Sequence, residues 1–268
     1  MIDLHCHILP GLDDGPRDLD QALGMARIAH EDGIEVVVGT PHVFKASFEY
    51  DDLDIFEEKR ALLEDALKAG DIPLRVLSGA EVHITHDLVA LVRRHRVRLV
   101  LAGGSYMFLE FPHDHVFSGA KDLFFELLSE KVTPIVAHPE RNTAFIRLPK
   151  LLFDLVEMGA LVQANGGSFL GRYGPDCEGA ALRFLELGLV HFLSSDGHNT
   201  HSKPPRLASA MKRVAAVIGR ENATALVRDN PRAVIEDREI PFRPDPVHPD
   251  AKEKTLKLKL PGFLRFRK

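Results

Sequence analysis

The chain has 268 residues, 45% of them hydrophobic and 27% charged, which is enough to bury one large core or two small ones. A net charge of −5 argues against a general nucleic-acid binder, because such proteins carry an excess of Lys and Arg to neutralise phosphates. No apolar run reaches the roughly 18 residues of a membrane-spanning helix, and acidic Asp3 leaves no basic leader segment at the start. Two cysteines, Cys6 and Cys177, fit no disulfide framework and no paired-cysteine motif, so the expected compartment is the reducing cytoplasm.

The first strand is expected at 2–5, running into Cys6-His7. Side chains two apart on a strand share a face, so His5 and His7 converge on one point, as metal ligands do. Cys6 between them points to the opposite face, toward a core. A surface strand with two chance histidines would read the same way, so the rest of the chain decides.

The loop Asp13-Asp14-Gly15-Pro16 leads to an amphipathic helix at 18–32 (Leu19, Ala22, Leu23, Ala26, Ile28), stopped by Gly33. The apolar run 34–38, of the kind buried in a parallel sheet, ends in Gly39-Thr40-Pro41-His42. A helix at 51–69 stops at Gly70, and the strand at 74–82 closes on Gly79-Ala80-Glu81-Val82. Next come a helix at 85–94, an apolar stretch at 97–102 and a strand at 106–111 with Glu110 near its end. A helix at 119–130 precedes the strand 133–137, which enters His138-Pro139-Glu140-Arg141.

A helix at 149–158, a strand at 160–164 and the turn Asn165-Gly166-Gly167 follow. The helix 175–187 leads to the strand 189–193, which ends in Ser194-Ser195-Asp196-Gly197-His198. Helices at 205–218 and 222–227, with Asn230-Pro231 opening one further turn, finish the series. About seven strand–helix units argue for a closed or nearly closed (β/α) barrel, since crossovers of one hand curl a parallel sheet round on itself. Residues 1–240 are read as this barrel. Residues 241–268 are read as a Pro-rich linker (Pro241, Pro244, Pro246, Pro249) and a basic tail, Lys252 to Lys268, with Leu and Phe interleaved. The plain reading of the tail is a solvated segment; the functional one is a peripheral anchor for an anionic membrane or an acidic partner. Pro261-Gly262 interrupts any continuous amphipathic helix there.

Polar residues at expected strand ends form one set: His5, His7, Asp14 in the following loop, His42, Glu81, Glu110, His138, Asp196 and His198. Barrel active sites are assembled from such positions on separate strands. Imidazoles and carboxylates without thiolate suit Mn²⁺, Zn²⁺ or Fe²⁺. Nine donors are too many for one ion, so two or three ions are implied, with a carboxylate such as Glu81 bridging a pair. The other histidines (His30, His83, His86, His95, His113, His115, His191, His201, His248) are assigned to surface or core, His113 and His115 being the nearest to Glu110 in sequence.

With these residues in place, the chain resembles the PHP (polymerase and histidinol phosphatase) superfamily, and within it the bacterial capsule and exopolysaccharide tyrosine-protein phosphatases. The resemblance rests on Met1 to His7 with Asp13-Asp14-Gly15-Pro16, on Thr40-Pro41-His42, Gly79-Ala80-Glu81-Val82 and Leu109-Glu110-Phe111, and on Ala137 to Arg141, Ser195 to His198, Arg206 and Asp229-Asn230-Pro231. It covers residues 1 to about 236 in order. Apolar Val43 and Phe44 depart from a stretch that is often basic in the family. The resemblance implies a distorted (β/α)7 barrel with a trinuclear, typically manganese, cluster. By it, His5, His7, Glu81 and Asp196 hold one ion, Glu81, Glu110 and His138 a second, and Asp14, His42 and His198 a third.

The implied activity is hydrolysis of phosphotyrosine on the tail of a membrane-associated bacterial tyrosine autokinase that controls polysaccharide export. A metal-bridged hydroxide would attack phosphorus in line with the leaving oxygen. Arg141, three residues beyond His138, suits a bidentate phosphoryl clamp, with Arg206 as a second candidate. His198 or a metal-bound water would supply the proton. The closest alternative is a small-molecule phosphomonoesterase of the histidinol-phosphate phosphatase kind; a regulatory or scaffold protein acting through its tail is a third reading. The segment from Cys177 to Arg183 matches the Cys-x5-Arg pattern of cysteine phosphatases, but it is expected to be helical, with Asp176 and Glu178 opposing a thiolate.

Overall fold

The computed structural model describes residues 1–251; the expected basic run 252–268 lies outside the described residues. Among the described residues nine strands are all paired in parallel, and helices cover most of the connections between them. One sheet has the order β1-β2-β4 and the other β3-β5-β6-β7-β8-β9, with β1 at Ile2–Cys6, β2 at Val36–Gly39, β3 at His42–Val43, β4 at Arg75–Ser78, β5 at Glu81–His83, β6 at Tyr106–Glu110, β7 at Thr133–Ala137, β8 at Leu161–Asn165 and β9 at Phe192–Ser194. Counting β2 with β3 and β4 with β5 as interrupted strands gives seven positions, the expected distorted barrel. A parallel bridge between Cys6 and Gly197 brings the first strand against the end of the last.

The helices are α1 (Leu19–Glu31), α2 (Ile55–Ala69), α3 (Leu88–Leu99), α4 (Ala120–Ser129), α5 (Thr143–Arg147), α6 (Lys150–Glu157), α7 (Pro175–Glu186), α8 (Ala208–Ile218), α9 (Arg220–Thr224) and α10 (Asn230–Ile235). In α1, Asp18 caps the first turn by accepting from the Gln21 amide at 2.9 Å. Ala22, Met25, Ala26 and Ala29 recur at helical spacing and form its buried face.

Two expected elements differ. The single strand expected at 74–82 is two, because the chain changes sheets between Ser78 and Glu81. Gly79 sits at the change: a Cβ there would stand 2.8 Å from side-chain atoms of both Leu101 and Val38. The helix expected at 85–94 is longer: α3 runs on to Leu99, so the apolar stretch at 97–102 is its last turn followed by a 3-10 turn at Leu101–Gly103. Its apolar residues Leu99, Val100 and Leu101 are buried as helix end and turn.

The barrel interior is apolar below and polar above. On β6, Tyr106 and Phe108 precede Glu110; on β7, Ile135 and Ala137 precede His138; on β8, Leu161 precedes Gln163 and Asn165. The apolar members form one buried cluster with Ile2, Leu4, Phe192 and Val234 of α10. A larger cluster lies between sheet and helices, and Cys6 belongs to that one. The pairing of β1 with β2 slips between Asp3 and Cys6. This bulge lets Leu4 join the interior cluster while His5 also faces Phe108 of that cluster, with ring centroids 4.9 Å apart.

The Pro-rich segment runs along the barrel. Asn230 holds Phe242 through both its amide groups, and the Val247 amide donates to the Leu187 carbonyl at 2.8 Å. Among the described residues no helix is long and apolar enough to cross a membrane.

Candidate metal centre

All nine residues singled out from the sequence meet at the C-terminal ends of the strands. His5, at the end of β1, and His7, just beyond it, face Glu81 of β5: each Nε2 stands 3.4 Å from Glu81 Oε2. They stand 3.7 and 3.5 Å from Asp196 Oδ1. His42 opens β3 with Nδ1 2.9 Å from the same Glu81 oxygen, and His138 Nε2 lies 2.7 Å from Glu81 Oε1. Glu110 Oε2 is 3.6 Å from His42 Nδ1, while Asp14 Oδ1 is 3.6 Å from His42 and 3.4 Å from His198. Glu81 is the common neighbour. Groups of donor atoms close enough to share an ion are His5, His7 and Glu81; His42, Glu81 and Glu110; and His7, Asp14, His42 and His198.

The imidazoles are oriented from behind. His7 Nδ1 donates to Asp13 at 2.6 Å, His5 Nδ1 to the Gln163 carbonyl oxygen at 3.0 Å, and His198 Nδ1 to the Asp196 carbonyl at 2.8 Å. A carboxylate or carbonyl can only accept, so Nδ1 carries a proton, and Nε2 is the ring atom left to face the centre and to take a metal. His5 Nε2, His7 Nε2, His42 Nδ1 and Glu81 Oε2 are buried and make no hydrogen bond of proper geometry. Burying such atoms unpartnered is costly. Buried nitrogen and carboxylate donors that converge with no hydrogen bond between them fit divalent cations, and so the residues fit the group that the sequence implies.

The backbone supports the same arrangement. His138 and Asp196 adopt left-handed φ values of 33° and 50°, which cost a non-glycine residue about 1–3 kcal/mol and are retained at sites where the surroundings demand them. Asp3, buried under the centre, has its carboxyl pushed up to about 6 by burial, although the Ser195 hydroxyl and amide oppose this. Burial works against ionisation of Glu81 as well, but the imidazoles of His5, His138 and His42 outweigh it and hold its carboxyl well below the usual range. Glu110 is held at about 2, where the hydrogen bond from His83 and the nearby imidazoles overcome burial and the repulsion from Glu81.

Above the donors lies a cavity of about 100 Å³, lined by Asp14, His42, Lys45, Glu81, Glu110, His113, His138, Arg141, Asp196, His198 and Lys203. Arg141 follows His138 in the 3-10 turn Pro139–Arg141; its Nη1 donates to Asp196 Oδ2 at 2.8 Å and its guanidinium lies 4.8 Å from the centre of the Tyr173 ring. Arg206 is exposed and is not one of the lining residues.

The family model described as capsular polysaccharide synthesis, CpsB/CapC, matches residues 1–236. The chain belongs to the CpsB/CapC family. It is 38% identical over 203 residues to the tyrosine-protein phosphatase YwqE of Bacillus subtilis, covering 76% of this chain and 79% of that protein. It is 30% identical over 243 residues to the tyrosine-protein phosphatase CpsB of Streptococcus pneumoniae, covering 89% and 99%. A solved chain from the work on YwqE and CpsB as unique metal-dependent tyrosine phosphatases superposes with a TM-score of 0.86 at 36% identity, covering 92% of this chain and 99% of that one. The branch suggested by the sequence motifs is therefore the right one.

In this CpsB/CapC chain several neighbours of the centre were not singled out from the sequence. Gln163 and Asn165 share one face of β8; the first orients His5, and the second donates to Asp196 at 2.6 Å. Gln163 lay inside a run read as buried strand, and Asn165 was read as the opening of a turn. Asp13 stood in the noted loop without a role of its own. Lys45 Nζ lies 3.0 Å from both Glu110 oxygens, and nothing in the sequence signals it. His83, assigned to surface or core, reaches Glu110 at 3.3 Å; His113 lines the cavity; His115 is exposed and pairs with Asp114. Cys177 and Arg183 lie on α7, and burial with Glu140 nearby pushes the thiol up, away from the thiolate a cysteine phosphatase needs.

Proposed function

We propose that the protein is a metal-dependent phosphotyrosine-protein phosphatase, acting on the tail of a bacterial tyrosine autokinase that regulates capsular or exopolysaccharide synthesis. The observation that carries this reading is the convergence of four unpartnered buried donor atoms, those of His5, His7 and His42 on Glu81 Oε2. His5, His7, Glu81 and Asp196 would hold one ion, Glu81, Glu110 and His138 a second, and Asp14, His42 and His198 a third. Manganese is the proposed ion, with zinc or ferrous iron as substitutes of the same donor preference. When bound, such ions lower the pKa of coordinated water and offset charge on phosphoryl oxygens.

The chain's own residues do the rest. Arg141 keeps one arm on Asp196, and its fork has further N–H groups for two phosphoryl oxygens. Because it lines the cavity and Arg206 does not, the clamp falls to Arg141 first. His198 spends its Nδ1 proton on the Asp196 carbonyl, which suits a ligand better than an acid. A phenolate, with a pKa of about 10, leaves with little protonation. Cytoplasmic placement fits two cysteines that are both free, and the basic tail is proposed to make a peripheral membrane contact near the kinase.

The test is metal-stripped protein given manganese and offered a phosphotyrosine peptide or histidinol phosphate. Activity that returns with manganese and prefers the peptide is expected. Full activity in excess chelator would end the metal reading, and preference for histidinol phosphate would favour a small-molecule phosphomonoesterase.

A further inference from the structure

Between His42 and α2 the chain builds a second cavity beside the polar one. Val43, Phe44, Lys45, Phe48, Tyr50 and Leu53 wall most of a space of about 360 Å³. Lys45 is a lining residue of both cavities. The segment is fastened on several sides. Phe48 lies parallel to the His42 imidazole, with centroids 5.5 Å apart and planes 9° apart, and its amide donates to the Lys45 carbonyl at 2.8 Å. The Tyr50 hydroxyl donates to the Leu12 carbonyl at 3.2 Å, next to the loop bearing Asp13 and Asp14, and its ring stands edge-on to Phe56 of α2 at 5.0 Å.

At about 100 Å³ the polar cavity is less than a third the size of its neighbour, which suits the smaller phosphoryl end of a phosphotyrosine. Its neighbour is of mixed character, with three aromatic rings and two aliphatic side chains among its walls beside the charged Lys45 and Glu49. We propose that this second cavity is an aryl subsite, which receives the phenol ring of phosphotyrosine while the phosphoryl group enters the polar pocket. The proposal rests on the phosphatase reading and deepens it, since it names what selects an aryl ester over an alkyl one. Aromatic walls attract a ring by offset or edge-on stacking and offer an alkyl phosphate, such as phosphoserine, no comparable surface. The apolar Val43 and Phe44, which looked out of place on the sequence, are here part of the ring's enclosure.

The test measures binding to the full-length, manganese-loaded protein by calorimetry, with two probes: inorganic phosphate and a peptide carrying phosphonomethyl-phenylalanine, which cannot be hydrolysed. Phe48→Ala and, separately, Phe44→Ala are expected to weaken the phosphonate peptide about tenfold while phosphate affinity stays within about twofold. Phe48→Tyr should restore the peptide. Phe44 makes no ring contact with His42, so its variant separates a lost subsite from a disturbed ligand. Equal loss of both probes in both variants would overturn the proposal, as would unchanged peptide affinity. A peptide whose affinity follows its flanking residues and ignores the ring would overturn it too. Failure of the phosphatase reading would look different: the unaltered protein would turn over no phosphotyrosine peptide with manganese present.

Discussion

His7 is useful as a ligand only while its Nδ1 proton has a fixed acceptor, and the same holds for His5 and Gln163. Replacing Gln163 by Leu keeps the volume and removes the acceptor, which frees the His5 ring to turn or change tautomer. Loss of such an outer partner typically weakens metal binding about 10–100-fold. Chelator competition on Gln163→Leu should show a drop of that size with the fold retained; an unchanged affinity would mean that His5 needs no support. Away from the centre, His191 is fully buried, accepts from the Val162 amide at 3.1 Å, and has its pKa pushed down to about 3 by burial and by Arg243. The unfolded chain therefore takes up this proton near pH 6.5 and the folded chain does not. Its contribution to stability is complete above pH 6.5 and is lost as pH falls from there toward 3, about 2 kcal/mol by pH 5. His191→Asn retains an acceptor for Val162 but does not titrate. Denaturant titrations of this variant should show a flatter loss between pH 7 and 5, and parallel curves would contradict the assignment.

Loops and strand ends, more than strand interiors, set the positions of the donors. Gly15 shows the tightest case: a Cβ there would stand 2.3 Å from the His7 carbonyl oxygen, a backbone atom that cannot turn aside. Gly15→Ala must therefore displace the loop that carries Asp13 and Asp14. The expected result is a lower metal-to-protein ratio by elemental analysis with near-normal helix content by circular dichroism, and an unaltered ratio would remove this loop from the account. Phe108 links the two layers of the interior, as a fully buried side chain in the apolar cluster and as the shelf beneath His5. Phe108→Ala should cost about 3–5 kcal/mol in denaturant unfolding, the usual range for a buried aromatic.

The element scale also explains what could be read from sequence. Strands such as 133–137 were legible because burial on both faces leaves an uninterrupted apolar run, and the donors were legible because they terminate such runs. The change of sheet after Ser78 was not, since Gly79-Ala80 looks like any small-residue end until Leu101 and Val38 close around it. The bulge after Asp3 was equally hidden; the pairing of β1 with β2 decides it, and the pattern of five residues does not. Gln163 and Lys45 were missed for a related reason, because their roles exist only through partners on other strands.

For the whole molecule, the interior brings together carboxylates that stay ionised despite burial: Glu81, Glu110 and Asp196, with Asp14 at the edge. A cation that binds the folded chain and not the unfolded one stabilises it by mass action, about 2.7 kcal/mol at a hundredfold excess over Kd. In a domain of this size that corresponds to roughly 5–10 °C in Tm. Thermal unfolding should therefore shift upward with added manganese and back with chelator. A Tm indifferent to both would mean that the centre binds no ion tightly enough to matter.

The most direct measurement is anomalous scattering at the manganese edge from crystals grown with the metal, paired with phosphopeptide turnover of the same preparation. The account predicts two or three peaks enclosed by the nine donors, at least two of them touching Glu81, and loss of peaks and turnover together in Glu81→Ala. Turnover that persists in Glu81→Ala with no anomalous density at the strand ends would contradict it.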